Sequence, residues 1–316
     1  MPATMPLTLS PPRLLLLHRR HQAKVQRPRS MARLRCTPDE VAATTAETEQ
    51  QGEVEEELVL LASYRTAFND LIMVIDSPSN RYLVLDPTRN IHSILPKKSA
   101  WTNSYWDECV SLPPVVPRGP VALLGLGAGT AAHMMLEVWP WIQLIGWEID
   151  PTIIELSRDY FDMSTLEQTT ELGGSLSVRI GDALSPSVTV EGGFAGIVVD
   201  LFADGKVLPQ LQEAETWLEI ARKLMPDGRI MVNCGAGDTA VSLAADTGAS
   251  SWVQNPTIKA LCSAFPGQLS WKRLSEKESV NYVALTGPLP DLEEWSTSVP
   301  SELSPRVKQW VPCELA

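Results

Sequence analysis

The sequence predicts an α/β fold: a mostly parallel sheet covered by helices on both faces, with a small β-hairpin unit ahead of it. Three observations support this. An apolar strand, Val121-Ala-Leu-Leu124, runs straight into a loop with glycines at 125, 127 and 129, and an amphipathic segment, Ala131 to Trp139, follows without a break. From Val121 onward, short apolar runs alternate with segments of helical period. The run Gly196–Asp200 is almost wholly apolar up to its last residue, as a central parallel strand covered on both sides must be.

The 316 residues have room for one large domain and a smaller attachment. A composition of 44% hydrophobic and 20% charged residues is that of a globular protein. No apolar run approaches the ~20 residues that span a bilayer, so no membrane partner is expected. Five cysteines (36, 109, 234, 262 and 313) are widely spaced, with no Cys-x-x-Cys pair and no histidine cluster. That pattern argues against a zinc site and against a disulfide framework. No metal is expected.

The net charge of −12 is unevenly spread. Residues 1–38 hold no acid but carry Arg13, Arg19, Arg20, Lys24, Arg27, Arg29, Arg33 and Arg35. Setting those eight aside leaves 18 basic against 38 acidic residues, a formal −20 over the remainder. So acidic a body repels phosphate backbones and excludes nucleic acid as a partner. The head is rich in Arg, Leu and Pro, the composition of an organelle transit peptide. A chloroplast destination is expected, with processing near Met31–Cys36; the alternative is a disordered tail, or a true start at Met31, on a cytoplasmic protein.

Residues 39–57 are acidic, have little to bury, and read as a linker. In the unit over 58–112, Leu71–Asp76 and Arg81–Asp86 flank the turn-rich Ser77-Pro-Ser-Asn80, which makes a hairpin, and Ile91–Leu95 can pair as a further strand. The main domain, 113–290, follows the proline-rich boundary Pro113–Pro120. After the first strand and helix come a strand at Trp141–Glu148 and a helix at Pro151–Phe161, with Asp150 as its cap and Pro151 in its first turn. Strands at Leu176–Ile180 and Gly196–Asp200, a helix at Leu211–Leu224 and a strand at Arg229–Asn233 continue the alternation. A helix at Thr257–Phe265 precedes Leu269–Leu274 and Ser279–Leu285, two strands joined by a charged turn, so the sheet should end with antiparallel members. Residues 291–316 form a tail of short helices and loops.

The chemistry gathers at the carboxyl ends of successive strands, where open α/β sheets bind ligands. Glycines 125, 127 and 129 allow a sharp turn and close approach of backbone to ligand, and the amides at the start of the next helix are expected to face a polar group. Glu148 stands about 20 residues beyond the loop, where a carboxylate accepts from ribose hydroxyls. Asp182, followed by Ala183, ends the third strand and can accept from an exocyclic amine, or serve as a plain turn aspartate. Asp200 ends the fourth strand, a costly place for an unpartnered carboxylate and so a site candidate. His133, Met134, Met135 and Cys234 read as packing residues, and His92, near the hairpin end, as a residue with the cleft as an alternative surrounding.

The glycine loop, Glu148-Ile-Asp150, Gly181-Asp-Ala183 and Val198-Val-Asp200 at these spacings resemble the class I S-adenosylmethionine-dependent methyltransferases. With the hairpin unit, Tyr105-Trp-Asp-Glu-Cys109 and Pro113-Pro114, the resemblance narrows to the spermidine synthase (polyamine aminopropyltransferase) branch, and in detail to the plant spermidine synthase-like proteins. It covers about Leu58 to Leu285. It implies a seven-stranded Rossmann-like methyltransferase sheet, ribose at Glu148, adenine at Asp182 and Ala183, the donor's methionine-like part against Gly125, Gly127 and Gly129, and Asp200 as the base. Tyr105 and Asp107 become candidate substrate contacts, although Trp101, Tyr105 and Trp106 read equally as anchors between the two units.

The departures from that family bear on the reaction. Ala128 stands where aminopropyltransferases carry an aspartate for the donor's amine, and Leu201-Phe202-Ala203 replaces most of their Asp-Ser-Ser-Asp motif. Methyl transfer from S-adenosylmethionine to an unidentified small acceptor, which could itself be an amine, is therefore the expected function. The alternatives are aminopropyl transfer from decarboxylated S-adenosylmethionine, and a nucleoside-binding protein without chemistry. An NAD dehydrogenase is disfavoured by Thr130, where the dinucleotide fingerprint needs glycine. A homodimer stays open.

Overall fold

The computed structural model describes residues 57–87, 90–236, 255–274 and 281–313. The expected transit segment, 1–38, and the acidic linker up to its last residue lie outside them. Within them, β1 (Val59–Tyr64), β2 (Ile72–Asp76), β3 (Asn80–Val84) and β4 (Ile91–Pro96) pair in that order as an antiparallel sheet. The expected hairpin is β2–β3, and the Ser77 hydroxyl shapes its turn by accepting from the amides of Ser79 and Asn80. The strand suggested by Ile91–Leu95 is β4, whereas β1 is an addition that no alternation in the sequence announces.

A short helix, α1 (Tyr105–Cys109), leads to the main domain. There follow β5 (Val121–Leu124), α2 (Thr130–Val138), β6 (Gln143–Glu148), α3 (Pro151–Tyr160), α4 (Met163–Leu166), β7 (Ser175–Ile180) and β8 (Phe194–Val199). Two-residue strands β9 (Phe202–Ala203) and β10 (Lys206–Val207) form a small hairpin. Then come α5 (Ala214–Ala221), β11 (Leu224–Ala236), α6 (Pro256–Ala264), β12 (Leu269–Arg273), β13 (Asn281–Thr286), α7 (Leu292–Ser298), α8 (Ser304–Val307) and β14 (Val311–Pro312).

The large sheet runs β14-β12-β13-β11-β8-β5-β6-β7. The five strands from β11 to β7 are parallel, and β13 lies antiparallel between β11 and β12. The expected seven strands are thus present, with β14 added at one edge. Alternate residues of β5 serve the two faces. Val121 and Leu123 pack in a cluster with Trp106, Met135 and Trp295, and Ala122 and Leu124 in another with Trp217 and Ile258. Such two-sided burial is why β5 and β8 contain no polar residue.

Local signals behave as the sequence implies at several joints. Asp150 Oδ1 accepts from the Thr152 amide at 2.9 Å and caps α3, with Pro151 in the first turn. Two expectations need correction. The helix expected over 211–224 shortens to α5, and Pro226-Asp-Gly228 lies within β11 at a register shift between Leu224 and Arg229 rather than ahead of the strand. The cysteines are not all free: Cys262 on α6 is bonded to Cys313, 51 residues away. Pairing of β14 with β12 brings Cys313 there, which sequence spacing cannot reveal.

Gly125 sets the closest approach in the fold. Its φ is +90°, and a Cβ there would lie 2.1 Å from the carbonyl oxygen of Asp200. The loop after β5 and the end of β8 can touch only through a glycine. Gly125→Ala is expected to lower stability by at least ~2 kcal/mol in urea unfolding, from backbone strain plus the clash; an unchanged midpoint would contradict the close approach.

Candidate active site

A cleft of about 870 Å³ lies between the N-terminal sheet and the carboxyl ends of β5, β6 and β8. Its floor is the glycine loop, and this loop is stitched to its neighbours. The amides of Gly125 and Leu126 both donate to the Trp147 carbonyl, and that of Gly129 to the Leu126 carbonyl. Gly127 donates to Glu148 Oε2 at 3.0 Å, and Ala128 to the Ser93 hydroxyl at 2.9 Å. Every amide from 125 to 129 has a partner inside the protein, whereas the amides expected to face a polar group are those at the start of α2, from Thr130 on. Gly125 and Gly127 line the cleft. Gly129 does not; with φ +84° it serves as the turn into α2, against Met163.

Glu148 ends β6, is nearly buried, and faces the cleft. Its second oxygen, Oε1, accepts from the Asp150 amide at 3.0 Å. Burial raises its pKa, while the bonds from Asp150 and Gly127 oppose that shift. Asp182 and Ala183 line the same end of the cleft, and Asp182 Oδ1 also accepts from the Leu184 amide at 2.8 Å, so its turn role and its place in the cleft coexist.

Asp200 follows β8, with its amide bonded to the Leu124 carbonyl at 2.9 Å. Asn233 Nδ2 donates to its Oδ1 at 2.9 Å and the Tyr105 hydroxyl donates to its Oδ2 at 3.0 Å. Asn281 Nδ2 in turn donates to Asn233 Oδ1 at 2.9 Å and fixes that amide's orientation. Burial raises the Asp200 pKa to about 6, against the pull of hydrogen bonding from Asn233, Tyr105 and Trp106. Burial and the nearby Asp200 charge push the Tyr105 phenol well up, so it stays a donor.

Asp107 does not reach the cleft. It is 1% exposed, accepts from the amides of Thr102 and Asn103, and pairs with Arg306, with Oδ2 3.0 Å from Nη1. The reason is helical geometry: α1 turns Tyr105 and Trp106 to the cleft and Asp107 and Glu108 to the interior. Ala128 also points away, buried at 1% exposure in a cluster with Ala62, Ile72, Leu83 and Leu156.

The structure puts His92 in the cleft, as its place near the hairpin end allows, and adds residues that sequence reasoning left unassigned. His92 lies in the cleft wall with Nε2 3.2 Å from Asp86 Oδ2, and burial lowers its pKa against the pull of Asp86. Asn233 and Asn281 gave no motif, although Asn233 sits at the same sheet edge as Asp200. Thr66 and Asn69, on the β1–β2 loop, both donate to Asp150 Oδ2, at 2.5 and 2.8 Å, and tie the N-terminal sheet to the end of β6. His133 is a packing residue, with Nε2 2.7 Å from the Phe161 carbonyl, and Cys234 is buried. Among the described residues, six carboxylates line the cleft (Asp70, Asp86, Glu148, Asp182, Asp200 and Asp204) and no lysine or arginine does. No metal-binding cluster of His, Cys, Asp and Glu occurs among the described residues.

Solved structures place this architecture. A "probable spermidine synthase" from Corynebacterium glutamicum superposes with a TM-score of 0.53 at 17% identity, over 72% of this chain and 79% of that one. This is the spermidine synthase fold. The spermidine synthase of Thermotoga maritima gives a TM-score of 0.50 at 14% identity, over 72% of each chain. In sequence, 145 residues are 27% identical to a Bifidobacterium longum protein named "probable polyamine aminopropyl transferase", over 45% of this chain and 30% of that protein. A polyamine aminopropyltransferase of Mycobacterium tuberculosis is 34% identical over 125 residues, 37% of this chain and 23% of that protein. The matched segments therefore span under a third of those relatives. No protein-family model matches the chain.

Glu148→Ala should weaken binding of 5′-methylthioadenosine, which carries the nucleoside without an aminopropyl chain, at least tenfold in calorimetry if Glu148 holds the ribose. Unchanged affinity would remove that role.

Proposed function

We propose that this protein transfers an aminopropyl group from decarboxylated S-adenosylmethionine to an amine, in preference to methyl transfer. The observation that carries the proposal is the charge of the cleft: six carboxylates and, among the described residues, no lysine or arginine. Decarboxylated S-adenosylmethionine is a dication, whereas S-adenosylmethionine brings a carboxylate for which this wall offers no lysine or arginine among the described residues. The relatives that match in sequence are named as polyamine aminopropyltransferases, which supports the same reading. The argument for methyl transfer from Ala128 loses its force, because that side chain packs away from the cleft.

The sulfonium donor supplies an activated carbon, so the protein's task is alignment and removal of one proton from the acceptor. Glu148 and Asp182 hold the nucleoside by its hydroxyls and amino group. Asp200 takes a proton from the acceptor ammonium and so frees its lone pair. The nitrogen then bonds to the propyl carbon as that carbon's bond to the sulfonium sulfur breaks, and methylthioadenosine leaves with the sulfur's electron pair. With a pKa near 6 it is largely ionised at neutral pH and a stronger base than an ordinary carboxylate, which lessens the uphill cost of drawing the proton from the acceptor. Tyr105 and Asn233 fix its orientation.

Calorimetry of the full chain should show decarboxylated S-adenosylmethionine binding at least tenfold more tightly than S-adenosylmethionine. With putrescine as a probe amine, methylthioadenosine should form, and Asp200→Asn should cut turnover about 10²-fold or more with donor affinity within about threefold. Tighter binding of S-adenosylmethionine, with S-adenosylhomocysteine as product, would overturn the proposal.

A further inference from the structure

The two halves of α1 face different surroundings. Tyr105 and Trp106 line the cleft, while Asp107 and Glu108 enter a buried ion cluster. The cations come from far along the chain. Arg306 Nη1, on α8, lies 3.0 Å from Asp107 Oδ2 and 3.8 Å from Glu108 Oε1. Lys272 Nζ, on β12, lies 2.6 Å from Glu108 Oε2 and donates to the Arg306 carbonyl at 3.0 Å. All four side chains are buried, and Lys272 and Glu108 almost completely.

This cluster does work that α1 cannot do alone. Five residues make little more than one turn, too short to be stable in isolation, and Ser104 at its start gives no side-chain cap. Its place is therefore set by tertiary contacts, and two buried cations close to two buried carboxylates leave few arrangements open. The C-terminal segment that delivers Arg306 is itself pinned at several points. Trp310 is buried beside Lys272, Trp295 Nε1 donates to the Ser111 carbonyl at 2.8 Å just past α1, β14 pairs with β12, and Cys313 is bonded to Cys262.

We propose that Arg306 and Lys272 are positioning residues for the reaction: through Asp107 and Glu108 they hold α1 so that the Tyr105 hydroxyl meets Asp200. The proposal rests on Asp200 being the base. The groups that face Asp200 are Tyr105, Trp106 and Cys109 from α1 and Asn233 from β11, with no cation among the described residues. A shift of α1 withdraws a donor from the ionised carboxylate and leaves burial unopposed on that side. The ionisation midpoint of Asp200 must then rise.

The test follows Asp200 directly, without substrate, by carbon NMR of carboxyl-labelled aspartate in the full chain, with Asp200→Asn assigning the signal. Arg306→Gln should raise the midpoint by about half a unit to one unit, the scale of one weakened hydrogen bond. Arg306→Lys should bring it back towards the wild-type value. Should Arg306→Gln fail to fold, the charge-balanced pair Asp107→Asn with Arg306→Gln leaves no lone buried charge and should show the same rise. Folded variants that melt earlier but keep the wild-type midpoint would overturn the proposal and leave the cluster a purely structural device. The outcome is independent of the donor's identity, so loss of the aminopropyl reading alone, with a rising midpoint, would leave the positioning role standing.

Discussion

The Asp200 carboxylate joins most of the functional parts of this molecule. It sits at the end of a strand buried along its whole length, its backbone meets the glycine loop at Gly125, and its two oxygens are held by Tyr105 and Asn233. Through Tyr105 it depends on α1, through Asn233 and Asn281 on β11 and β13, and through Leu124 on β5. Neutral donors are the important choice. A lysine or arginine beside it would stabilise the carboxylate more strongly, but would pull its pKa down and repel a cationic acceptor. Amide and phenol groups oppose only part of the rise that burial imposes on its pKa, so it is held near 6.

The same constraint shapes the surrounding cleft. Its carboxylates raise the local concentration of cations, and its loop amides are spent on Trp147, Glu148, Ser93 and Leu126 rather than offered to a phosphate. Here the glycines are needed for backbone shape: Gly125 for contact with Asp200, Gly129 for the turn into α2. The N-terminal sheet completes the cleft and is fastened to it by side chains, with Ser93 on the loop and Thr66 and Asn69 on Asp150.

Much of this is legible in the sequence where the cause is local. The parallel strands, the loop, the Asp150-Pro151 cap and the strand-end acids Glu148, Asp182 and Asp200 each announce themselves within a few residues. What is not legible depends on partners far away. Asp107 reads as a cleft residue because Tyr105 beside it is one; its true partner, Arg306, is 199 residues on. Ala128 reads as a lost amine contact because the loop around it lines a cleft, yet its side chain turns towards β2, β3 and α3. The Cys262–Cys313 bond and β1 are likewise consequences of the assembled sheets and not of any local pattern.

The central claim is that Asp200, held by Tyr105 and Asn233, takes the proton from the acceptor. The most direct test is the pH dependence of kcat/KM for transfer to an amine, in the wild type and in Tyr105→Phe. Activity requires the ionised carboxylate, so it should fall as pH drops through about 6. Removing the Tyr105 hydroxyl removes a donor to the charged form, so the fall should begin at higher pH in the variant. A wild-type profile flat down to pH 5, or an acid limb that Tyr105→Phe leaves in place, would contradict the account.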